Sequence, residues 1–382
     1  MVDSAWPRSL AYTVTTVKPQ HAIALFLFFI TACSASKTDT DLPSGDTQEP
    51  TNCEAPAPTT DDSTWQVLDF CRAEGELLSV SGTGPENVWV VGAQGQALHY
   101  DGCQWKEVDT GTTQTLWWTF GFEEGPQYFV GANGTILKHT TETGFEAMES
   151  GVQFTLYGIW GTSPEDLWTI GFDVDQKVPG AILHYDGSTW TPVSGLPESV
   201  SDSTNYFKVW GSGPNDVWVV GRNDLILHWD GAEWSDRASG LSTDWVTITG
   251  TSAEDVIIVG GKSGGAIVQW SGDSWTPVAP ELIQLLQGVC LQPDGSGLAT
   301  GISATFLRRT AEGAWSEDWD APFDLFSPFE PPVAGCQQPT PDYHACFADG
   351  SGGFYAVGGN FFGGLTEGAV VYFGPRKHSA LP

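Results

Sequence analysis

Residues 207–234 read FKVWGSGPNDVWVVGRNDLILHWDGAEW, and the chain repeats this pattern along most of its length. Residues 157–190 give YGIWGTSPEDLWTIG, an insertion, and AILHYDGSTW. Residues 78–105 give LSVSGTGPENVWVVGAQGQALHYDGCQW, and residues 246–275 give VTITGTSAEDVIIVG, a short insert and AIVQWSGDSW. Weaker copies occupy 116–139, 286–315 and 343–373. A glycine closes the central apolar run of each copy, at Gly92, Gly131, Gly171, Gly221, Gly260, Gly301 and Gly358. The spacings are 39, 40, 50, 39, 41 and 57 residues. A period near forty with four short strands per unit marks a β-propeller.

Each unit has a physical reading. The first strand ends in Gly-Ser/Thr. A Gly-x-Pro-Asn/Glu-Asp turn follows, with proline fixing φ and aspartate able to accept from nearby N–H groups. Asp-Val-Trp-Val-Val-Gly is an almost unbroken apolar run, as a strand covered on both faces requires. Ile-Leu-His-Tyr/Trp alternates, Asp-Gly turns the chain, and a fourth strand starts near a tryptophan. One unit cannot bury both its faces, but units stacked radially can. The last unit lacks a fourth strand after Tyr372-Phe373-Gly374. Ser63-Thr64-Trp65-Gln66-Val67 resembles Ser188-Thr189-Trp190-Thr191-Pro192-Val193, the fourth strand of the third unit. Residues 63–69 are therefore expected to pair with 368–373 and close the ring. The expected fold is all-β, a seven-bladed β-propeller over residues 63–375, with 376–382 as a C-terminal tail.

Residues 1–32 read as a signal peptide. Ala22 to Ile30 is a nine-residue apolar run, too short to span a bilayer and right for a signal-peptide core. Ile30-Thr31-Ala32-Cys33 follows and resembles the lipobox of bacterial lipoproteins. The resemblance implies acylation of Cys33. Ser34, in place of aspartate, implies delivery to the outer membrane. Residues 33–62 are rich in Thr, Asp, Pro and Ser and read as a disordered tether with roughly 30 Å of reach. Two acyl chains at Cys33 would anchor it stably. Six further cysteines, Cys53, Cys71, Cys103, Cys290, Cys336 and Cys346, suggest disulfides in an exported chain. They fall in one group near the tether and one near the C-terminus, and pairing within each group is expected.

The units resemble repeats of exported bacterial propeller lipoproteins, the myxobacterial-type tandem propellers among them. More distantly they resemble sialidase-type (BNR, Asp-box) and photosystem II assembly-factor-like propellers. The resemblance covers residues 63–375 and implies the fold. Asp186-Gly187-Ser188-Thr189-Trp190 sets its Asp one residue closer to Gly than an Asp-box does. A sialidase also needs an arginine cluster for its substrate carboxylate. Arg72, Arg222, Arg237, Arg308, Arg309 and Arg376 offer no suitably spaced triplet.

The formal net charge of −32 argues against nucleic acid and against direct adhesion to anionic lipid, both of which are also negative. No phosphate loop, nucleophile motif or metal motif appears. The expected function is a monomeric, non-enzymatic binding or scaffold module, without cofactor, for a protein or polysaccharide partner. The alternative is a carbohydrate-active propeller whose site is assembled from loops without a motif. His99, His184 and His228 share one repeat position and are expected to bond backbone within their own blades. Asp166, Asp216 and Asp255, with Asn87 in the first unit, read as turn caps. Trp89, Trp105, Trp168, Trp190, Trp218, Trp234 and Trp275 read as packing between blades. Asp173 and Asp175, in an insertion, are the best candidates for calcium.

Strand alternation puts the first–second and third–fourth turns on one face. That set is short and uniform. The second–third turns and the blade connections share the opposite face and carry the insertions, at Phe172–Pro179, Ser194–Asn205, Gly261–Gly265, Ser316–Asp342 and Gly359–Glu367. Variable loops on a rigid scaffold usually carry function, so this face is expected to bind the partner. Phe323, Phe326 and Phe329, among prolines in the longest insertion, are candidate apolar anchors.

Overall fold

A strand that is apolar on both faces must be covered on both, and each unit supplies one. A computed structural model describes residues 63–72, 75–175, 178–201, 204–281, 283–318, 320–322, 340–361 and 365–382. The signal peptide, Cys33, the tether and residues 323–339 with Phe323, Phe326 and Phe329 lie outside the described residues. The described residues form seven four-stranded antiparallel sheets. Six are made of consecutive strands within 77–107, 116–148, 155–192, 206–236, 245–277 and 286–317, which we number blades 1 to 6. Blade 7 takes three strands from 342–374 and its outermost from Thr64–Arg72.

The innermost strands are Leu77–Gly84, Leu116–Gly121, Thr155–Ser163, Tyr206–Gly213, Trp245–Ser252, Leu286–Leu291 and Asp342–Ala348. Each packs beside that of the next blade, and the seventh packs beside the first, so the ring is closed. Thr64–Arg72 lies antiparallel to Gly368–Gly374 with Trp65 opposite Phe373. The closing strand anticipated at 63–69 is present and runs three residues further.

The recurring glycine has a steric cause. A Cβ on Gly92 would collide with the backbone oxygen of Glu76, just before the innermost strand. The same collision with the equivalent carbonyl recurs at Gly131, Gly171, Gly221, Gly260, Gly301 and Gly358. The two strands approach too closely there for any side chain.

The seams between blades are aromatic. Between blades 3 and 4, Trp168 stacks on His184 at 4.1 Å and meets Trp234 edge-on at 5.7 Å. Between blades 4 and 5, Trp218 stacks on His228 at 4.0 Å and meets Trp270 and Trp275 at 5.4 and 5.5 Å. Between blades 1 and 2, Trp89 stacks on His99 at 4.2 Å and faces the smaller His139 at 4.9 Å. Between blades 6 and 7 the histidine position holds Arg308, whose guanidinium lies 3.4 Å over Phe373. Such ring pairs add about 0.5–1.5 kcal/mol each beyond their burial.

The histidines bond side chains, not backbone, which corrects the expectation from sequence. His99 Nε2 meets Asn87 Oδ1 at 2.8 Å, and His184 and His228 meet Asp166 and Asp216 Oδ1 at 2.7 Å. In blade 5, Gln269 Nε2 donates to Asp255 Oδ1 at 2.9 Å. Strand geometry explains the pairing. Each histidine lies directly opposite the tryptophan, and the turn residue stands two positions before that tryptophan on the same face. The turn aspartates also differ from their expected role. Asp166 accepts from the Thr162 hydroxyl, and Asp216 and Asp255 accept from Ser212 Oγ and Thr251 Oγ1 at 2.6 and 2.8 Å. Burial pushes the Asp216 carboxyl up, but donors on His228, Ser212 and Trp218 outweigh it and hold it below its ordinary value. Backbone capping falls to hairpin aspartates such as Asp230, whose Oδ1 accepts from the Ala232 and Glu233 amides, both at 2.9 Å.

Cys290 and Cys346, both from the C-terminal group, form a disulfide across the innermost strands of blades 6 and 7, with Cα atoms 5.7 Å apart. Cys103 is also disulfide-bonded. The longest insertion is shorter than its sequence bounds, because strands Trp315–Glu317 and Asp342–Ala348 take its ends. The C-terminal tail runs along the free edge of the closing strand. Leu381 N donates to Leu68 O at 3.2 Å, and His378 N donates to Gln66 Oε1 at 3.1 Å. The His378 ring sits among Tyr100, Tyr355 and Tyr372 at the seam of blades 7 and 1.

Trp218 is 1% exposed and bridges two blades. Trp218→Ala should cost about 3–5 kcal/mol of folding stability, read by denaturant titration. A cost below about 1 kcal/mol would contradict the seam's role.

Candidate ligand site at the ring axis

The axial residues arise from a backbone irregularity. Near the start of each innermost strand one residue is extra against its partner: Leu78, Trp117, Tyr157, Phe207, Val246, Gln287 and His344. Each stands fourteen positions before its blade's recurring glycine, as Leu78 does before Gly92. A bulge re-aims its side chain and locally disrupts the ladder. At three of the seven, a side chain from a neighbouring blade donates to the bulge carbonyl. His344 Nδ1 donates to Leu78 O at 2.6 Å, Lys208 Nζ to Tyr157 O at 2.9 Å, and Thr247 Oγ1 to Gln287 O at 2.5 Å.

The strand starts face the variable loops, so the bulge residues ring the axis at that end. Trp117 of blade 2 meets Tyr157 of blade 3 at 5.1 Å and His344 of blade 7 at 6.0 Å. Blades 2 and 7 are not neighbours, and their rings meet because both point towards the axis. Phe361 stacks on His344 at 5.1 Å and lies 6.1 Å from Trp117. Phe172 stacks on Tyr157 at 4.8 Å and reaches Phe207 of blade 4 at 5.7 Å. Trp117, Tyr157, Phe207 and Phe361 are half-buried, while Phe172 and His344 are buried.

Lys208 follows the bulge in blade 4 and is only 4% exposed. Its side chain crosses blade 3 at Gly158, where a Cβ would stand 3.4 Å from Lys208 Cδ. Its Nζ lies 4.2 Å from the centre of the Trp118 ring. Burial lowers its pKa to about 7. Burial, and then the charge of Lys208, lower His344 to about 3 despite the Leu78 carbonyl. His344 is therefore neutral near pH 7, with its proton on Nδ1 and Nε2 left as an acceptor. Gln287 Oε1 has no donor among the described residues. On the same end, burial and then Asp342 push the Glu76 carboxyl up to about 9, and neither of its oxygens has a donor among the described residues. An apolar rim around a few convergent polar groups with displaced pKa values is the usual make-up of a ligand site.

The residues singled out from sequence do not converge. His99, His184 and His228 belong to three separate seams. Asp173 Oδ1 accepts from the Asp175 amide at 3.0 Å and closes a turn. Among the described residues no group of three or more His, Cys, Asp or Glu side chains could hold a metal ion. The short-turn face also has an axial hollow, about 430 Å³, lined by Thr83, Thr251, Gln292, Phe347 and Asp349. The seam of blades 6 and 7 holds one of about 550 Å³ beside Trp65, Arg308 and Phe373. Lys208, His344, Trp117, Tyr157 and Phe207 were not legible as a site from the repeat alone. The fourteen-residue offset could have found the bulge set, because that position varies from Leu to Trp to His while its neighbours repeat.

The sequence matches no protein-family model and no curated protein. Solved structures share its fold. YCF48 bound to a D1 peptide superposes with a TM-score of 0.59 at 13% identity, covering 83% of this chain and 98% of that one. The WD40 β-propeller domain of Doa1 gives 0.59 at 10% identity over 81% and 97%. YCF48 from Cyanidioschyzon merolae gives 0.59 at 14% identity over 82% and 99%. At these identities the likeness establishes the propeller fold.

A histidine whose folded pKa lies below its unfolded value binds fewer protons when folded. Stability is then fully present above the unfolded pKa near 6.5 and is lost as pH falls towards the folded value. For His344 the window runs from about 6.5 down to about 3. Between pH 6.5 and 5 it should remove about 2 kcal/mol. His344→Gln should flatten the fall in melting temperature over this interval, and an unchanged slope would refute the assignment.

Proposed function

We propose that this protein is a non-enzymatic binding scaffold that holds a segment of a protein partner in the axial mouth framed by its variable loops. The observation that carries this reading is the convergence of bulge residues Trp117, Tyr157, Phe207 and His344 on the ring axis. Half-buried aromatic side chains held on rigid strands are the usual energetic centres of protein interfaces. A propeller of the same fold solved with a bound peptide lends further support. We also propose that acylation at Cys33 holds the scaffold at the outer membrane, with the tether letting the ring move over the surface around its anchor.

Affinity capture from detergent-solubilised membranes, after cross-linking, tests the mouth. The double variant Trp117→Ala/Phe207→Ala should recover at least tenfold less partner than the parent while keeping a cooperative melt. Undiminished recovery would overturn the reading. Cys33→Ser should move the protein from the membrane fraction to the soluble fraction, and continued membrane retention would remove the anchor.

A further inference from the structure

Lys208 is anomalous in this chain. The sequence has 47 acidic residues against 15 basic ones. The other two buried cations among the described residues are paired: Arg72 with Asp69 and Glu107, and Arg309 with Asp255. Among the described residues, Lys208, buried in blade 4, has a single polar contact, the Tyr157 carbonyl. Its ammonium has three donors, so two remain unused. The groups facing it are Tyr157 of blade 3, the Trp118 ring of blade 2 and the imidazole of His344 of blade 7. None is an anion near neutral pH, and burial alone accounts for its low pKa.

A buried amine without a counter-ion is costly in its charged form. Resting on the axial-mouth reading, we propose that the bound segment presents a carboxylate to Lys208, with an aromatic or apolar residue beside it packed on Trp117, Tyr157 and Phe207. The carboxylate supplies the missing counter-ion, and Lys208 takes up a proton as it binds. His344 stays neutral, because a second positive charge beside the ammonium is disfavoured. The anion therefore pairs with the amine alone. Above pH 7 the proton must come from solvent, so affinity falls as pH rises, by up to tenfold per unit. The carboxylate can belong to an acidic side chain or to a chain terminus.

Two probe pairs separate these sources. N-acetyltryptophan against N-acetyltryptophanamide presents a terminal carboxylate. N-acetyl-Trp-Asp-amide against N-acetyl-Trp-Asn-amide presents a side-chain one. Titration calorimetry of the full chain between pH 7.5 and 8.5, in two buffers of different ionisation enthalpy, counts protons. The acid member of at least one pair should bind at least tenfold tighter than its amide, with uptake of up to one proton per ligand. Lys208→Met should erase that preference, so that acid and amide bind alike. Equal binding of acid and amide, or binding without proton uptake, overturns the carboxylate while leaving the aromatic mouth standing. Binding by neither member of either pair overturns both. If Lys208→Met does not fold, the acid–amide comparison on the parent protein decides alone.

Discussion

No blade of this protein can bury itself, and everything else follows from that constraint. The second strand of each unit is apolar on both faces, so each blade needs a neighbour on either side. In blades 1, 3 and 4 the tryptophan in that strand reaches across to rings on the next blade, and the histidine stacked on it is fixed by a turn residue, Asn87, Asp166 or Asp216. Seam chemistry varies with what each blade offers. Where the next blade presents two tryptophans the gap fills, and where it presents His139, or where Arg308 stands in for the blade's own histidine, a cleft remains.

The same demand shapes the axis. Seven strands converge on one centre, and each carries a bulge at an equivalent position. At three of the bulges, Lys208, His344 and Thr247 satisfy a carbonyl on a neighbouring blade, which ties the inner strands together. Lys208 and His344 do this with groups that can also change charge, and they lie behind a half-buried aromatic rim. Architecture and candidate site are therefore one set of contacts seen from two sides.

Much of the fold was legible because every unit meets the same steric demand. The glycine recurs because two backbones nearly touch, and the Asp-Val-Trp-Val-Val run recurs because its strand is covered twice. The strand around Trp65 could be placed because it repeats the Ser-Thr-Trp of a complete blade. The partner of His228 was not legible. That contact depends on register between two strands and on a turn residue two positions along the tryptophan's own side-chain row. The axial site was hidden for a related reason. A bulge interrupts the alternation that sequence reading relies on, and its occupant is free to be Leu78 in one blade and His344 in another. Cys290 and Cys346 could be placed in one group, but only the neighbouring inner strands show why those two meet.

The closing strand has a mechanical consequence. Any pull transmitted along the chain ahead of residue 63 enters the ring at Thr64, the first residue of the outermost strand of blade 7. Tension along that strand is shared by the whole ladder from Thr64 to Arg72 against Gly368–Gly374. Tension across it would peel the pairs one after another, starting at Thr64. The tail lies on the outer edge of this strand, with Leu381 on Leu68 and Arg72 Nη1 donating to the Pro382 carbonyl oxygen. It clamps from outside the strand whose departure would open the circle.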